Sequence, residues 1–295
     1  MLRIATINLL HNPAKLAERL DHLAFLLKHE DIDFLCLQEV PTPEVAGFYV
    51  ADVLGYKLGL AHKSVGLPKE DRYGNVTLSR YPLSPVDLSK VPVKTGVKQW
   101  GVPPLVTVVQ VEGRPVYIVN AHFSWGSGQE ATRLRQAYDA SLLGNVLFEY
   151  GGLSTARETR PVVVLAGDLN SVPESRTIRY LRGLDVDLDN GSTLWLDTWA
   201  EAADAGAEAH TTGDPTYWSQ RTFEGVGELY RPENTPRRRI DYIMSLGWAW
   251  GNAGAPVSVR RFGTETFDDP ELGKLTVSDH YGLIADLWMP ETEEA

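Results

Sequence analysis

Polar side chains that can bind metals or transfer protons follow several apolar runs of this 295-residue chain, at the point where each run ends. A single case is ordinary, because a strand that leaves a core meets water. Repetition is informative, since strands that share two adjacent sheets can bring such groups to one edge. The groups are Asn8 after RIATI, Glu39 after DFLCLQ, His122 after PVYIVNA, Asp168 and Asn170 in VVVLAGDLN, Asp241 in RIDYIM, and Asp279 with His280 before YGLIADLW.

The residue types in this set suit catalysis that is assisted by a metal ion. Clustered carboxylates repel one another, and a hard cation with oxygen ligands relieves that repulsion; Mg²⁺ keeps several waters and uses one or two carboxylates. Glu39 is the natural first ligand. The chain has no helical pair of histidines and no pair of cysteines for zinc, so His122 and His280 are available for phosphate contact and proton transfer. A metal that polarises a phosphoryl oxygen beside such groups is typical of phosphoesterases.

The run PVVVLAGDLN, residues 161 to 170, shows how the chain can hold these groups still. Its apolar half predicts a buried strand, and Gly167 allows a close approach of the backbone. Asp168 and Asn170 leave an extended strand on the same face. We therefore expect a rigid strand end that carries a carboxylate and an amide side by side.

The elements that must position the site alternate between helices and strands. Helices are predicted at residues 12 to 29, with Asn12 as the cap, at 130 to 149, where Leu134, Tyr138, Leu142 and Val146 recur every fourth residue, and at 173 to 184. Strands outnumber helices and include a hairpin with a Glu-Gly turn, so two packed sheets flanked by helices fit better than one parallel sheet. Strands are predicted in MLRIATINLL, DFLCLQEV, YGNVTLSRYP, PPLVTVVQVEG, RPVYIVNAHF, residues 161 to 167, RRRIDYIMSL, APVSVRRFG and HYGLIADLWM.

No linker or repeat divides the chain, so we expect a single domain over residues 1–295, with loops near 62 to 72, 203 to 215 and 222 to 237. The N-terminus lacks the features of a signal peptide, and no run approaches the roughly 18 apolar residues of a membrane helix. A cytoplasmic monomer without an obligate protein partner is the expectation, and export with a signal already removed stays open.

The ordered motifs ATIN, LQEV, GNVTLSRYP, NAHF, RLRQ, GDLNSVP, RRRIDYIM and SDHYG resemble the endonuclease/exonuclease/phosphatase superfamily, the DNase I-like metal-dependent phosphoesterases. The resemblance runs from Asn8 to His280. It implies an α/β (α+β) fold, a four-layer α/β/β/α sandwich of two mixed sheets, and Mg²⁺ or Mn²⁺ as the cofactor.

The resemblance also implies a role for each residue of the set. Glu39 resembles the metal-binding glutamate, with Asn8 and Asp279 near the same ion. Asp168 resembles the residue that activates water, and Asn170 the amide that holds the phosphate. His280 resembles the imidazole that contacts the phosphate, oriented by Asp241, and His122 a second histidine that protonates the leaving oxygen. No catalytic role is expected for the other histidines, which are His11, His22, His29, His62 and His210.

Three further residues are candidates for substrate contact, each with a structural alternative. Asn75 either binds phosphate or serves a turn after glycine. Arg135, with its neighbour Gln136, either reaches substrate or ties its helix to the rim of the site. Trp218 either lines the substrate pocket or packs in the protein core. Together with Trp100 and Tyr217 it belongs to loops whose aromatic side chains could stack on a base or cover an acyl chain.

The net charge of −11 disfavours long duplex DNA, because nonspecific nucleic-acid affinity comes from lysine and arginine. Arg237, Arg238 and Arg239 form either a local basic patch or a solvated turn. The single cysteine, Cys36, lies in an apolar run and is expected to be buried and inert.

These observations predict a divalent-metal-dependent phosphodiesterase that hydrolyses a P–O bond by in-line attack of water. Three motifs disfavour particular branches of the superfamily. The chain has RRRIDY where inositol-polyphosphate phosphatases have WCDR, and its NAHF motif differs from the motif of apurinic-site endonucleases. It has TIN where tyrosyl-DNA phosphodiesterases have TWN. Nuclease-like and sphingomyelinase-like activities stay open, with a nucleic acid, a nucleotide or a phospholipid head group as substrate. The alternatives are a phosphate monoesterase on a small nucleotide or lipid head group, and a non-catalytic scaffold of the same fold.

Overall fold

Two six-stranded mixed sheets pack face to face and carry helices on their outer faces, which gives the predicted α/β/β/α sandwich. The computed structural model describes residues 1–66, 72–90, 100–150, 160–186, 193–202, 211–212, 237–246, 253–271 and 273–290. The strands of the first sheet are β1 Leu2–Asn8, β2 Phe34–Pro41, β3 His62–Gly66, β4 Tyr73–Ser79, β11 Pro256–Phe262 and β14 Gly282–Leu287. Those of the second are β5 Leu83–Pro85, β6 Leu105–Val111, β7 Arg114–His122, β8 Val162–Asp168, β9 Trp195–Asp197 and β10 Asp241–Leu246; β12 Phe267–Asp269 and β13 Gly273–Leu275 form a separate ribbon. The strand order is β11-β14-β1-β2-β4-β3 in the first sheet and β5-β6-β7-β8-β10-β9 in the second.

Six helices complete the described elements. They are α1 Leu16–Leu27, α2 Pro43–Ala46, α3 Val50–Leu58, α4 Glu130–Tyr150, α5 Arg176–Leu181 and α6 Thr198–Glu201. Among the described residues, none of these helices is both long enough and apolar enough to traverse a bilayer.

Three apolar layers hold the sandwich together. The inner layer lies between the sheets and includes Ile4, Phe34, Ile118 and Val164, all excluded from solvent. Cys36 is buried in this layer as a free thiol, as predicted. The other two layers lie under α1 and α3 on the first sheet and under α4 and α5 on the second. The central strands are therefore covered on both faces, which explains why they read as continuous apolar runs and not as alternating patterns.

Each sheet contains one parallel pair, built by a strand, a helix and a strand. In the first sheet β1 and β2 run parallel with α1 between them, and in the second β7 and β8 run parallel with α4 between them. The carboxyl ends of parallel strands meet at one edge of a sheet. Asn8, Glu39, His122 and Asp168 lie at or next to these ends, so the fold explains why polar groups follow apolar runs.

The predicted hairpin is confirmed. Residues Glu112 and Gly113 connect β6 to β7, and both have positive φ, 50° and 76°. That backbone conformation at both central positions is the turn whose twist matches the flanking strands, and glycine adopts it without strain.

Several predicted boundaries are corrected. The stretch 62 to 66 is strand β3 and not a loop; it is an edge strand of mostly polar residues, HKSVG, so its composition hides it. Helix α1 begins at Leu16, since Asn12 accepts a hydrogen bond from Ala14 N (2.8 Å) in a preceding turn and does not cap the helix. Most of the loops at 203 to 215 and 222 to 237 lies outside the described residues.

The buried face of α4 also differs from the predicted stripe. Ala137, Ala140, Leu143 and Leu147 form the contact with the sheet, and Gly144 lies against the indole of Trp195. A Cβ at Gly144 would lie 2.6 Å from that ring, so a small residue is required there. The contact face combines leucines with small residues, and a periodicity of large apolar residues does not identify the small ones.

Candidate active site

Glu39 occupies a β-bulge. Leu37 pairs with Val76 and Val40 with Gly74, so Gln38 and Glu39 together face Asn75. The backbone of Glu39 is left-handed, with φ 52°, a conformation that non-glycine residues adopt at a cost. Bulges of this kind redirect a side chain next to a functional site, and here the bulge presents the Glu39 carboxylate at the end of β2.

His11 holds the Glu39 carboxylate. The backbone N–H of His11 donates to Glu39 Oε2 (2.7 Å), and His11 Nδ1 lies 2.8 Å from the same oxygen. The hydrogen bond raises the pKa of His11. Burial alone would raise the pKa of Glu39, but the bond from His11 and the nearby His122 ring bring it down to about 2. His11, for which no catalytic role is expected, therefore lies at the site and positions its glutamate.

Little in the sequence indicates this contact. Leu10, with φ 60°, and the loop after β1 turn the chain back toward β2, and neither feature has a distinctive motif. His11 also stacks edge-to-face on Tyr73, with ring centroids 5.3 Å apart.

The second sheet places a row of three ionisable residues across neighbouring strands. His122 on β7 is in register with Asp168 on β8, and Asp168 is in register with Asp241 on β10. Two carboxylates directly opposite each other repel. Burial and the Asp241 charge together raise the pKa of Asp168 to about 6, against the lowering effect of His280 and His122.

Asp168 is fixed by two hydrogen bonds. Its Oδ1 accepts from the backbone N–H of Asn170 (2.8 Å) and its Oδ2 accepts from Asn8 Nδ2 (3.1 Å), which reaches over from the first sheet. The Asn170 side chain donates to Phe123 O (3.0 Å), and its φ of 48° is left-handed. Asn170 therefore lies beside Asp168, but it follows the end of β8 with a left-handed backbone, so the two side chains do not leave one extended strand as predicted. Its amide ties the loop after β7 to the end of β8.

His280 is held by Asp241. His280 Nδ1 lies 2.9 Å from Asp241 Oδ2, and both side chains are buried. Burial opposes the charged ring, but the carboxylates of Asp241, Asp279 and Asp168 raise the pKa of His280 well above its ordinary value. These carboxylates therefore favour the charged form of the ring, whose Nε2 lies 3.9 Å from Asp168 Oδ2.

His122 has an open ring nitrogen between two carboxylates. Its Nε2 lies 3.6 Å from Asp168 Oδ2 and 3.8 Å from Glu39 Oε1. These distances exceed hydrogen-bond length, and the atom is buried with no hydrogen-bond partner among the described residues. Native structures seldom leave such an atom unpaired, so the gap fits a bound group.

Asp279 completes the cluster from the loop before β14. Burial raises its pKa and so does the charge of Glu39, against the lowering effect of His280. Buried Arg19 of α1 supports this loop by donating to Val277 O (2.7 Å), and it also donates to Asn12 O (2.7 Å) and to Leu9 O in the loop after β1. One guanidinium thus fixes both loops that flank the first-sheet side of the site.

The donor set suits a divalent cation. The raised pKa values of Asp168 and Asp279 record burial and repulsion between carboxylates, and the buried atoms His122 Nε2 and Asp241 Oδ1 lack partners among the described residues. Donor atoms of Asp168, Asp241 and His280 lie within 4.8 Å of one another, a spacing that can hold an ion. The residues at this edge are therefore compatible with a bound metal.

The substrate-contact candidates fall in different places. Asn75 is not in a turn: it lies within β4, buried, with Nδ2 3.4 Å from Asn120 O and with Oδ1 unpartnered among the described residues. Arg135 is mostly exposed, pairs with Asp139 (3.4 Å), and lies over the Tyr138 ring. Gln136 accepts from Ser124 N (3.0 Å), so it does tie α4 to the loop after β7. Trp218 and Tyr217 lie outside the described residues.

Trp100 packs into the apolar layer between α4 and the second sheet. It is buried edge-to-face against Phe123, with centroids 5.2 Å apart, and its Nε1 lies 3.4 Å from Asp139 Oδ2. The arginine triplet is divided as well: Arg237 and Arg238 are exposed, whereas Arg239 is buried in a bidentate pair with Asp197 (2.9 and 3.1 Å). Arg239 is thus a structural residue and contributes nothing to a basic surface.

Residues 5–280 match the model of the "Endonuclease/Exonuclease/phosphatase family". The match spans the four strand ends and the SDH segment described above. No curated protein sequence matches the chain significantly.

Solved structures with the same fold cover nearly the whole chain at low identity. TDP2 from Caenorhabditis elegans has a TM-score of 0.65 at 16% identity, over 97% of this chain and 74% of that one. D. rerio TDP2 complexed with single-strand DNA product has a TM-score of 0.62 at 17% identity, over 96% and 97%. Beta toxin from Staphylococcus aureus has a TM-score of 0.65 at 14% identity, over 97% and 99%. At these identities the likeness establishes the fold.

Proposed function

The chain belongs to the endonuclease/exonuclease/phosphatase family of metal-dependent phosphoester hydrolases, and from that premise we propose that it is a Mg²⁺- or Mn²⁺-dependent phosphodiesterase. The observation that carries the proposal is the meeting of Glu39, His122, Asp168 and the Asp241–His280 pair at one edge of the sandwich. Each group has a charge or an open atom suited to one part of the hydrolysis of a phosphate diester.

Glu39 and Asp279 would hold the cation, with Asn8 beside them. Mg²⁺ and Mn²⁺ prefer oxygen donors, and His280 is a poor ligand because Asp241 already engages its Nδ1 and its pKa is raised. For that reason we place the ion on the Glu39 side of the cluster and not within the Asp168, Asp241 and His280 group. When bound, the ion polarises a phosphoryl oxygen.

Asp168 would orient and deprotonate the attacking water. A general base works best when its pKa is close to the working pH, and the pKa of Asp168, about 6, meets that condition. The bonds from Asn8 and Asn170 hold the carboxylate in one orientation. The water would attack phosphorus in line with the leaving oxygen, with no covalent enzyme intermediate.

The two imidazoles would divide the remaining work. His280, kept charged by Asp241, would neutralise charge that develops on the phosphate. His122, with its open Nε2, would protonate the leaving oxygen. The alkoxide that leaves phosphorus takes up this proton, whether the substrate is a diester or a monoester.

The relatives with the same fold include a TDP2 complexed with single-strand DNA product, which supports a nucleic-acid or nucleotide substrate for this chain. The net charge of −11 favours short single strands over long duplexes. Phospholipid head groups are the competing substrate class.

The test is a hydrolysis assay with Mg²⁺ or Mn²⁺ on a diester, bis(p-nitrophenyl) phosphate, the matching monoester, single-stranded DNA, RNA and sphingomyelin. We expect diester turnover that EDTA abolishes and that proceeds with inversion at a chiral phosphorothioate. Asp168→Asn should lower kcat by about 10²–10⁴, whereas Asp268→Asn, an exposed residue, should not. Full turnover by Asp168→Asn, or hydrolysis of the monoester alone, would overturn the proposal.

A further inference from the structure

Trp125 is an exposed aromatic residue next to the candidate active site. Its side chain is 82% exposed, and it lies three residues beyond His122, in the loop that leaves β7. Because consecutive Cα atoms are about 3.8 Å apart, the Cα atoms of Trp125 and His122 are within about 11 Å of each other. The backbone of the loop that carries the ring therefore lies close to the site.

The backbone that carries Trp125 is held on both sides. Arg133, itself buried, donates to Ser124 O (3.0 Å) and to Gly126 O (2.7 Å). Ser124 N donates to the buried side chain of Gln136 (3.0 Å). The fold thus fixes the loop on either side of the residue and leaves the indole in water.

Exposed aromatic side chains are ordinary when they are scattered singly. Tyr56 on α3, 91% exposed, and Phe25 on α1, 71% exposed, are examples. Trp125 differs from them in two respects: it follows a site histidine in the chain, and its loop is linked to Asn170 through the bond from Asn170 Nδ2 to Phe123 O. A rigid support for a large exposed ring beside the site indicates a binding surface for the group attached to the phosphate.

We propose that Trp125 is a stacking platform for a nucleobase, and that the substrate is consequently a nucleotide or a short single strand. The proposal rests on the phosphodiesterase function and names its substrate class. Every base has a π-face that can stack on an indole, whatever its identity. The platform would bind the base nearest the scissile phosphate and contribute affinity without sequence preference.

The surroundings of Trp125 favour a base over a lipid. The segment SWGSGQ, residues 124 to 129, contains small and polar residues around one aromatic ring. Insertion into a lipid surface uses a broad apolar face together with basic residues, and this segment has neither. The indole of Trp125, among glycines and serines, can instead stack on one planar group such as a nucleobase.

The test separates binding from turnover. Anisotropy of a labelled single-stranded DNA oligonucleotide and of an abasic oligonucleotide of the same length would be measured with Mg²⁺ in the Asp168→Asn background, so that substrate is not consumed. Trp125→Ala should weaken binding of the base-bearing strand by about 5- to 150-fold, the range for loss of one stacked base. Binding of the abasic strand should change less than about twofold, Trp125→Phe should restore most of the loss, and Tyr56→Ala should have no effect.

Equal weakening of both strands, or no weakening of either, would overturn the platform. Loss of binding to sphingomyelin vesicles in Trp125→Ala, with oligonucleotide binding intact, would overturn it in favour of a lipid surface. Hydrolysis of the diester by the unmutated protein tests the proposed function separately. If that protein binds the base-bearing strand selectively but does not hydrolyse the diester, the proposed function is refuted and the stacking platform is still supported.

Discussion

Gln38 Nε2 donates a hydrogen bond of 2.8 Å to Asn120 Oδ1, and this bond joins the two sheets inside the sandwich. Gln38 precedes Glu39 on β2, and Asn120 lies two residues before His122 on β7. Asn120 Nδ2 also donates to Val76 O (2.9 Å), on β4. This buried pair thus fixes β2, which carries the proposed metal-binding carboxylate of Glu39, relative to β7, which carries the open imidazole of His122.

Gln38→Met should lower the free energy of unfolding by about 1–3 kcal/mol, because it leaves buried acceptors without a donor. In a double-mutant cycle with Asn120→Leu we expect a coupling of about 1 kcal/mol, measured by urea denaturation. Gln110→Met, an exposed glutamine on β6, is the matched control and should be neutral. Additive effects of the two substitutions would show that the pair does not register the sheets.

Glu39→Gln should weaken Mg²⁺ or Mn²⁺ binding by at least about tenfold in calorimetric titration, since ligand charge sets affinity for hard cations. Asp241→Asn should leave that affinity nearly unchanged and lower kcat, because its carboxylate holds His280. Glu271→Gln, exposed and remote in sequence, controls for the loss of a charge. If Asp241→Asn weakens metal binding and Glu39→Gln does not, the ion lies instead among Asp168, Asp241 and His280.

Gly167→Ala should destabilise the protein by at least about 3 kcal/mol. Gly167 has φ 140°, and a Cβ there would lie 2.0 Å from Ala121 O and 3.1 Å from Gln38 Nε2. Gly101→Ala, where no atom lies within 4 Å of the added Cβ, should be tolerated. The melting temperatures of the two variants are compared by thermal unfolding. Gly167 lies against the backbone of Ala121, whereas Gly101 has no neighbour within 4 Å of an added Cβ, so equal melting temperatures would contradict the close contact between β7 and β8.

Asp286→Asn should destabilise the protein at pH 7 by up to about 1 kcal/mol and should have a smaller effect near pH 3. The bidentate hydrogen bonds from Arg3 (2.7 and 3.0 Å) lower the pKa of Asp286 below its unfolded value. The ion pair therefore stabilises the fold above the unfolded pKa, and that stabilisation is lost as the pH falls through the folded pKa. Urea unfolding at the two pH values measures the difference, and a constant difference would refute the ion pair.

The strand ends and their polar residues were predictable because the central strands are buried on both faces, which makes their sequences continuous apolar runs that stop abruptly. The repetition of polar groups at the ends of these runs predicts that Asp168, Asp241 and His280 lie near one edge. Helix α4 was predictable in extent but not in its contact face, because that face combines two leucines with small residues, among them Gly144, which fits against Trp195.

Other features depend on tertiary contacts that leave no local pattern. The bulge at Gln38 and Glu39 exists only in the pairing of β2 with β4, and the approach of His11 to Glu39 depends on a turn at Leu10. Trp100 lies in a segment that reads as a loop, yet it is buried against Phe123. The sequence alone can indicate which side chains are reactive, whereas the neighbours that hold those side chains, such as His11 beside Glu39, depend on how the chain packs.

The division of the site between two strand–helix–strand units has a consequence for folding. Asn8 and Asp168, which hydrogen-bond across the sheets, are 160 residues apart in the chain. Contacts of such separation form slowly, since loop closure precedes any gain from the contact. Each unit can bury apolar surface by itself, but the first contributes Glu39 and the second Asp168, so only the docked sheets assemble the proposed hydrolytic centre. Recovery of activity during refolding should therefore lag behind recovery of secondary structure and report the docking step itself.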